Sequence, residues 1–257
     1  MNSRQQQLEA FNRLLDIMDE LREKCPWDKK QTLESLRNLT IEEVYELGDA
    51  IIENNLNEVK KELGDVLLHI VFYAKIGSEQ KVFDIADVAN AISDKLIARH
   101  PHIYGNEIVE TEEQVLQNWE KLKLKEGNKS VLGGVPKSLP AMVKANRIQE
   151  KARGIGFDWD NADQVWEKVQ EELVEFQDEV SVKNHENMEA EFGDVLFSLI
   201  NYARFVNINP ENALEKTNTK FIKRFQYLEE KAKLDGKSLE KMTLEEMDVY
   251  WNEAKKL

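Results

Sequence analysis

The strongest constraint on the fold of this chain is an acidic pattern that occurs twice. "EEVYELGDA" at 42–50 is followed by "ELGDV" at 62–66, and "EELVEF" at 171–176 is followed by "EFGDV" at 191–195. A constant separation of 129 residues relates Glu43 to Glu172, Glu46 to Glu175, Glu62 to Glu191 and Asp65 to Asp194. A repeat this regular predicts two copies of one structural unit.

Basic and aromatic residues extend the repeat. Lys95 and Arg99 precede Lys220 and Arg224 by 125 residues, and Trp119 precedes Trp251 by 132. A stretch rich in Gly and Pro, "EGNKSVLGGVPKSLP" at 126–140, separates the halves. We therefore predict a domain at 1–126, a linker at 127–138 and a second domain at 139–257.

Apolar residues recur at helical spacing in three segments of the first half. One stripe runs from Leu8 to Leu21, a second covers 66–74 and a third covers 85–100. No convincing run alternates with a period of two. The fold class predicted is all-α, as a tandem repeat of two helical bundles.

The acids of each half fall on one face of a helix. Because a helix turns about 100° per residue, Glu172 and Glu175 project in similar directions one turn apart. If each half packs as an antiparallel hairpin, with turns near 54–55 and 181–185, four carboxylates converge. Gly64 and Gly193 are then expected to permit a close approach of helices beside the acids.

Converging carboxylates need protons, basic side chains or a metal to neutralise them. Oxygen ligands suit Mg²⁺, with Mn²⁺ as a possible substitute. A lone E-x-x-E is more often a solvated helix face, but two such pairs, repeated, favour a cation site. A di-iron centre needs Glu-x-x-His, and the residues three before the four histidines are Val66, Ile97, Arg99 and Val182.

Basic residues suggest what the cation binds. Lys168 lies one turn before Glu172, and Lys220, Lys223 and Arg224 share a predicted helix. Each residue alone is more typical of an exposed surface base, but together, beside an acidic cluster, they favour phosphate binding. Neither a P-loop nor a G-x-G-x-x-G motif occurs. Trp251 would stack on a base or pack in the core, and water is the plausible nucleophile.

The net charge of −14 disfavours nucleic-acid polymers and anionic membranes as partners, while a small polyphosphate carried by a cation remains compatible. No apolar run approaches roughly 18 residues, and the N-terminus does not resemble a signal peptide. The single cysteine, Cys25, fits a reduced compartment. We expect a cytoplasmic protein.

These motifs resemble a known family. E-E-x-x-E followed by E-x-x-D, "CPWDKKQT" at 25–32, "ISDKLIARHPH" at 92–102 and "GFDW" at 156–159 are similar to the two-domain bacterial MazG proteins. Those are nucleoside triphosphate pyrophosphohydrolases of the all-α NTP pyrophosphatase superfamily. The resemblance covers essentially the whole chain.

The resemblance implies Mg²⁺-dependent hydrolysis of nucleoside triphosphates to monophosphate and pyrophosphate, broad base specificity, nucleotide-pool housecleaning and a homodimer. It also implies that the second half carries the main activity. The metal ligands would be Glu172, Glu175, Glu191 and Asp194, and the nucleotide contacts Lys168, Glu171, Lys220, Arg224 and Trp251.

Within that implied site, Glu171 or a metal-binding carboxylate would orient water, and Lys220 and Arg224 would stabilise charge on the phosphates. The first half would hold a second catalytic site or a regulatory nucleotide site, or would serve mainly as a dimerisation unit. The residues of this second site would be Glu42, Glu43, Glu46, Glu62, Asp65, Lys95 and Arg99. A nucleotide sensor without turnover is the alternative function.

Overall fold

A computed structural model describes residues 1–109, 111, 114–115, 118–119, 122 and 130–256. Every regular element within these ranges is helical, which confirms the all-α prediction. The chain divides into two compact units, Met1–Val109 and Glu110–Leu257. The predicted domain limits at 126 and 139 stay a prediction. No helix of the described ranges has the length and apolar character that a bilayer crossing requires.

Unit 1 is built around a helical hairpin. Its second and third helices pack along each other, and the first helix covers the third. The helices are α1 (Arg4–Lys24), α2 (Leu33–Ile52), α3 (Leu56–Glu79), α4 (Ile85–Arg99) and α5 (Pro101–Tyr104). The core between them consists of Met18, Leu36, Val71, Phe72 and Ile76, all buried.

Unit 2 repeats the hairpin and adds a second helix pair. Its helices are α6 (Ala141–Arg153), α7 (Ala162–Val182), α8 (His185–Phe205), α9 (Pro210–Leu234) and α10 (Leu244–Ala254). Helices α7 and α8 form the hairpin, α6 packs on α8, and α9 pairs with α10. Leu228, Ala232 and Tyr250 are buried between α9 and α10.

The two hairpin turns have the same construction, at the predicted places. Asn54 and Lys183 adopt left-handed backbone conformations, with φ of 55° and 57°. The next residue in each turn, Asn55 or Asn184, caps the following helix by accepting a hydrogen bond from a backbone N–H. Each hairpin therefore reverses within a few residues and sets its acids opposite one another.

Candidate active site

Three acids of unit 2 meet across the α7–α8 hairpin. Glu172 and Glu175 extend from α7, Glu191 extends from α8, and one carboxylate oxygen of each lies within 4.8 Å of the others. Glu172 is buried, at 7 % exposure, while Glu175 is open to solvent. The predicted convergence of these three acids is therefore present in the structure.

Asp194 lies one turn after Glu191 on α8 but stands apart from this group of three. Its side chain lines an adjoining cavity and is close enough to raise the pKa of Glu191. Its role as a fourth metal ligand stays a prediction.

Among the described residues, Lys168 is a basic side chain in direct contact with this cluster. Its Nζ lies 2.8 Å from Glu172 Oε1 and 2.9 Å from Glu171 Oε1. Hydrogen bonds to these two carboxylates raise the pKa of Lys168 well above its usual value. The structure therefore places Lys168 and Glu171 beside the cluster, and their predicted contact with a nucleotide stays a prediction.

The cluster still carries excess negative charge. The pKa of Glu191 is raised by its partial burial and then by the charges of Glu175, Asp194 and Glu172. One ammonium group cannot neutralise all these carboxylates. An all-oxygen donor set with surplus negative charge fits a hard divalent cation such as Mg²⁺.

A cavity of about 590 Å³ adjoins the acids. Lys168, Glu172 and Asp194 line its charged end, and Phe157 and Trp159 contribute aromatic surface from the loop after α6. Most of the remaining lining is apolar. A cavity of this size is large enough for a small organic molecule, and its charged end adjoins the carboxylates.

Two buried amides supply polar groups to the cavity. Gln149 donates through Nε2 to the Phe197 carbonyl oxygen at 2.7 Å, while its buried Oε1 has no hydrogen-bond partner among the described residues. Asn201, 3 % exposed, accepts at Oδ1 from Arg204, 2.7 Å from Nη2. Arg204 is held in turn by Asp158, 2.8 Å from Nη1.

Sequence reasoning missed these cavity residues. Asn201 corresponds to Phe72 at the repeat separation, and Ser198, which also lines the cavity, corresponds to His69. A comparison of the two halves at non-acidic positions was the signal that could have found them, because a core aromatic replaced by an amide marks a changed environment.

The predicted bases lie on α9, a helix that packs against α6 and α8. Lys220 and Lys223 are exposed, and the Arg224 guanidinium lies 6.0 Å from the centre of the Trp251 ring. Trp251 also packs against Phe221, with ring centres 4.9 Å apart. None of these residues lines the described cavity. The structure thus groups Arg224 with Trp251, and the role of α9 in nucleotide binding stays a prediction.

Unit 1 contains a second acidic cluster. Glu43 and Glu46 of α2 and Glu62 of α3 also place carboxylate oxygens within 4.8 Å of one another. The remaining predicted residues are distributed as follows: Glu42 is exposed on α2, Asp65 is half-buried on α3, and Lys95 and Arg99 lie on α4.

The expected close approach at the glycines is absent. A Cβ added at Gly64 or at Gly193 would meet no heavy atom within 4 Å among the residues described. Both positions face open space, so no packing requirement for glycine exists there, and this part of the prediction is wrong.

Comparison with known proteins decides the family. The model of the MazG nucleotide pyrophosphohydrolase domain matches residues 31–104 and 161–228. One match contains the α2–α3 acids and the other contains the α7–α8 acids. The chain belongs to the MazG family. One match lies in each half of the chain, as the tandem repeat predicted.

Related MazG proteins resemble most of this chain. The "nucleoside triphosphate pyrophosphohydrolase/pyrophosphatase MazG" of Thermotoga maritima is 45 % identical over 250 residues, covering 95 % of each chain. The "nucleoside triphosphate pyrophosphohydrolase" of Escherichia coli K12 is 38 % identical over 97 % of this chain and 98 % of that protein. The uncharacterised protein YabN of Bacillus subtilis is 50 % identical, and this chain spans 51 % of its length.

The MazG matches do not include the whole candidate site. Glu172, Glu191 and Asn201 fall inside the second matched segment. Gln149, Phe157 and Trp159, which complete the cavity, lie before it. The acidic cluster thus belongs to the common MazG domain, and part of the cavity wall is built by α6 and the loop that follows it.

Proposed function

We propose that unit 2 hydrolyses nucleoside triphosphates at the α–β phosphate bond, releasing nucleoside monophosphate and pyrophosphate. The observation that carries this proposal is the junction of the three-carboxylate cluster with the cavity beside it. A triphosphate has a charged half that needs cations and a nucleoside half that needs an enclosed, mostly apolar space. Membership of the MazG family and the names of the Thermotoga maritima and Escherichia coli relatives support the same reaction.

A divalent cation fits the cluster. Glu172, Glu175 and Glu191 would hold it, with Asp194 completing the set, and Mg²⁺ is the proposed ion with Mn²⁺ as its substitute. When bound, such an ion neutralises phosphate charge and polarises the phosphoryl oxygens. Lys168 holds the Glu172 and Glu171 carboxylates in place from the cavity side.

In the proposed reaction, a water oxygen bonds to the α-phosphorus as the bond from that phosphorus to the α–β bridging oxygen breaks. A carboxylate of the cluster, or Glu171, accepts the water proton. Glu171 is exposed and fixed by Lys168, so it can meet solvent water while keeping its orientation. Lys220 and Arg224 are proposed to stabilise charge on the phosphates, and pyrophosphate leaves with the bond electrons.

The nucleoside half is proposed to occupy the cavity. An uncommitted acceptor at Gln149 Oε1 suits the N–H groups that every common base carries. An otherwise apolar wall discriminates little among bases. Broad base specificity follows, and with it a role in removing unwanted nucleotides from the cytoplasmic pool.

A homodimer is proposed from the exposed faces of the two hairpins. Leu63, Leu67 and Ile70 form a stripe on α3 with exposures of 52 %, 37 % and 43 %. The corresponding stripe on α8, Phe192, Leu196 and Leu199, has exposures of 49 %, 41 % and 40 %. Apolar stripes at i, i+4 and i+7 on both hairpins are suited to burial against a second copy.

The test is product analysis. The chain is incubated with Mg²⁺ and a panel of ribonucleoside and deoxynucleoside triphosphates, and the products are separated by chromatography. Monophosphate with equimolar pyrophosphate supports the proposal. Intact nucleotide retained by the protein would instead support the nucleotide sensor, and neither binding nor turnover would leave a structural role.

A further inference from the structure

Two buried amides in the cavity of unit 2 are each engaged by the protein at one end only. Gln149 is 7 % exposed, and its Nε2 donates to the Phe197 carbonyl oxygen at 2.7 Å. Its Oε1 is buried and has no hydrogen-bond partner among the described residues. Because a carbonyl oxygen only accepts, the amide nitrogen must face Phe197, and the amide oxygen is the end without a partner.

The amide of Asn201 is held in the opposite sense. Asn201 is 3 % exposed, and its Oδ1 lies 3.1 Å from Arg204 Nε and 2.7 Å from Arg204 Nη2. Because a guanidinium only donates, the amide oxygen must face Arg204. The other end, Nδ2, carries two N–H groups and makes no hydrogen bond within the part of the chain that the structure describes.

Asp158 fixes the guanidinium that orients Asn201. Arg204 Nη1 donates to Asp158 Oδ2 at 2.8 Å, and Nη2 donates to the other carboxylate oxygen. Only 10 % of the Arg204 side chain and 18 % of the Asp158 side chain are exposed. Two parallel charged hydrogen bonds hold a guanidinium in one plane. The Asn201 amide therefore cannot turn over without breaking charged hydrogen bonds.

The helical hairpin does not require an amide at this position. At the repeat separation of 129 residues, Phe72 and Lys75 of unit 1 correspond to Asn201 and Arg204. Phe72 packs in the apolar core, and Lys75 pairs with Asp19 at 2.7 Å instead. Burying an amide with one end unpaired is costly, so its presence in unit 2 indicates a ligand that completes the hydrogen bonds.

Both amides line the cavity that adjoins the acids. They present to it one acceptor, Gln149 Oε1, and one donor, Asn201 Nδ2. Every common base carries, on one edge, an N–H group beside an oxygen or ring-nitrogen acceptor. Such an edge satisfies both amides at once, whichever of the common bases carries it.

We propose that Gln149 and Asn201 determine specificity by binding the hydrogen-bonding edge of the base, and that Arg204 and Asp158 are positioning residues for the Asn201 amide. Nucleotides with the common bases are then accepted alike, and nucleotides whose base lacks this edge are rejected. This inference rests on the function proposed for unit 2, because it concerns the nucleoside half of the same ligand.

The test compares two ligands of the same shape on the full-length chain. One is the α,β-imido analogue of dTTP, and the other is the same compound with thymine replaced by difluorotoluene, an apolar ring without hydrogen-bonding groups. Isothermal titration calorimetry with Mg²⁺ gives both dissociation constants. The difluorotoluene compound should bind less tightly on the order of 100-fold, because it leaves both buried amides unpaired.

Substitutions of the amides should remove this discrimination. Asn201→Asp still accepts from Arg204 but replaces Nδ2 by an oxygen that cannot donate, and Gln149→Met replaces Oε1 by an apolar group. Each variant should bring the two dissociation constants close together. Gln177→Met, at an exposed position of α7 that does not line the cavity, should keep the parent ratio.

Asp158→Asn tests the positioning role. It weakens the hold on Arg204 and should lower the ratio of the two dissociation constants. A merely structural defect would weaken both ligands alike and leave that ratio unchanged, which would overturn the positioning role. Circular dichroism of each variant verifies that the helices persist.

Equal binding of the two ligands by the parent chain would overturn the inference, as would a parent-like ratio in both Asn201→Asp and Gln149→Met. Binding of neither ligand would overturn it together with the function proposed for unit 2. Discrimination by a chain that releases no pyrophosphate from dTTP would support the role of the amides and overturn the proposed hydrolysis alone.

Discussion

At the scale of single residues, the raised pKa of Glu191 makes cation binding by the acidic cluster depend on pH. Its raised pKa means that a proton competes with the metal at pH values above the usual glutamate range. Mn²⁺ affinity should therefore continue to increase as pH rises above the usual glutamate pKa of about 4.3. Titrations of Mn²⁺ at several pH values measure this dependence.

The same residue gives the control. Glu191→Gln removes the competing proton and should flatten the pH dependence contributed by that site, and affinity independent of pH in the parent protein would contradict the account. For the metal-free protein the sign reverses. A carboxyl with a raised folded-state pKa makes the folded chain bind more protons, so its contribution to stability falls as pH rises through that window.

Lys168 is a second residue with a testable role. Its ammonium holds the Glu171 and Glu172 carboxylates at 2.9 and 2.8 Å. Lys168→Met should reduce kcat by roughly 10–100-fold, the usual effect of losing a partner of a metal-ligating group. Lys168→Arg should restore part of the rate, whereas a kcat unchanged in Lys168→Met would show that the contact is incidental.

At the scale of helices, α6 and α8 enclose the cavity, and filling it tests where the nucleoside lies. Ala152 of α6 lines the cavity, so Ala152→Phe should raise KM for triphosphates on the order of tenfold, equivalent to about 1.4 kcal/mol. Mn²⁺ binding should not change, because the carboxylates are untouched. Steady-state kinetics and the Mn²⁺ titration give the two readouts.

A substitution on the same helix provides the comparison. Ala141, the first residue of α6, is exposed and is not one of the lining residues. Ala141→Phe should leave KM unchanged. An unaltered KM in Ala152→Phe would remove the nucleoside from this cavity.

The helices themselves were predictable from sequence to a large extent. Apolar periodicity located α1, α3 and α4, and the repeat located both hairpins with their turns at Asn54 and Lys183. The convergence of Glu172, Glu175 and Glu191 followed from helical spacing together with the short turn that makes α7 and α8 a hairpin. The order of residues determines which side chains share a helix face.

Other features depend on contacts between distant segments, and sequence did not reveal them. Gln149 and Asn201 face one cavity although 52 positions separate them, and neither belongs to a recognisable motif. Gly64 and Gly193 were expected at close helix contacts and instead face open space. Whether a glycine is packed depends on the neighbouring element, which a local pattern does not specify.

At the scale of the whole molecule, the exposed stripes on α3 and α8 predict self-association. Analytical ultracentrifugation should give twice the mass of the chain. Leu63→Glu with Ile70→Glu places charge on the α3 stripe and should weaken the dimer, because apolar surface at an interface tolerates unpaired charge poorly. Asn57→Glu, an exposed polar position on the same helix, should not. A stable monomer at micromolar concentration would contradict the proposal.

The central claim is that the carboxylates of unit 2 carry out triphosphate hydrolysis, and Glu172 tests it most directly. Pyrophosphate release from ATP and dCTP is measured with Mg²⁺ for the parent chain, for Glu172→Gln and for Glu167→Gln, an exposed acid on the same helix. Glu172→Gln should lose more than about 100-fold in kcat, whereas Glu167→Gln should retain the parent rate. A parent-like rate for Glu172→Gln would place the chemistry elsewhere in the molecule.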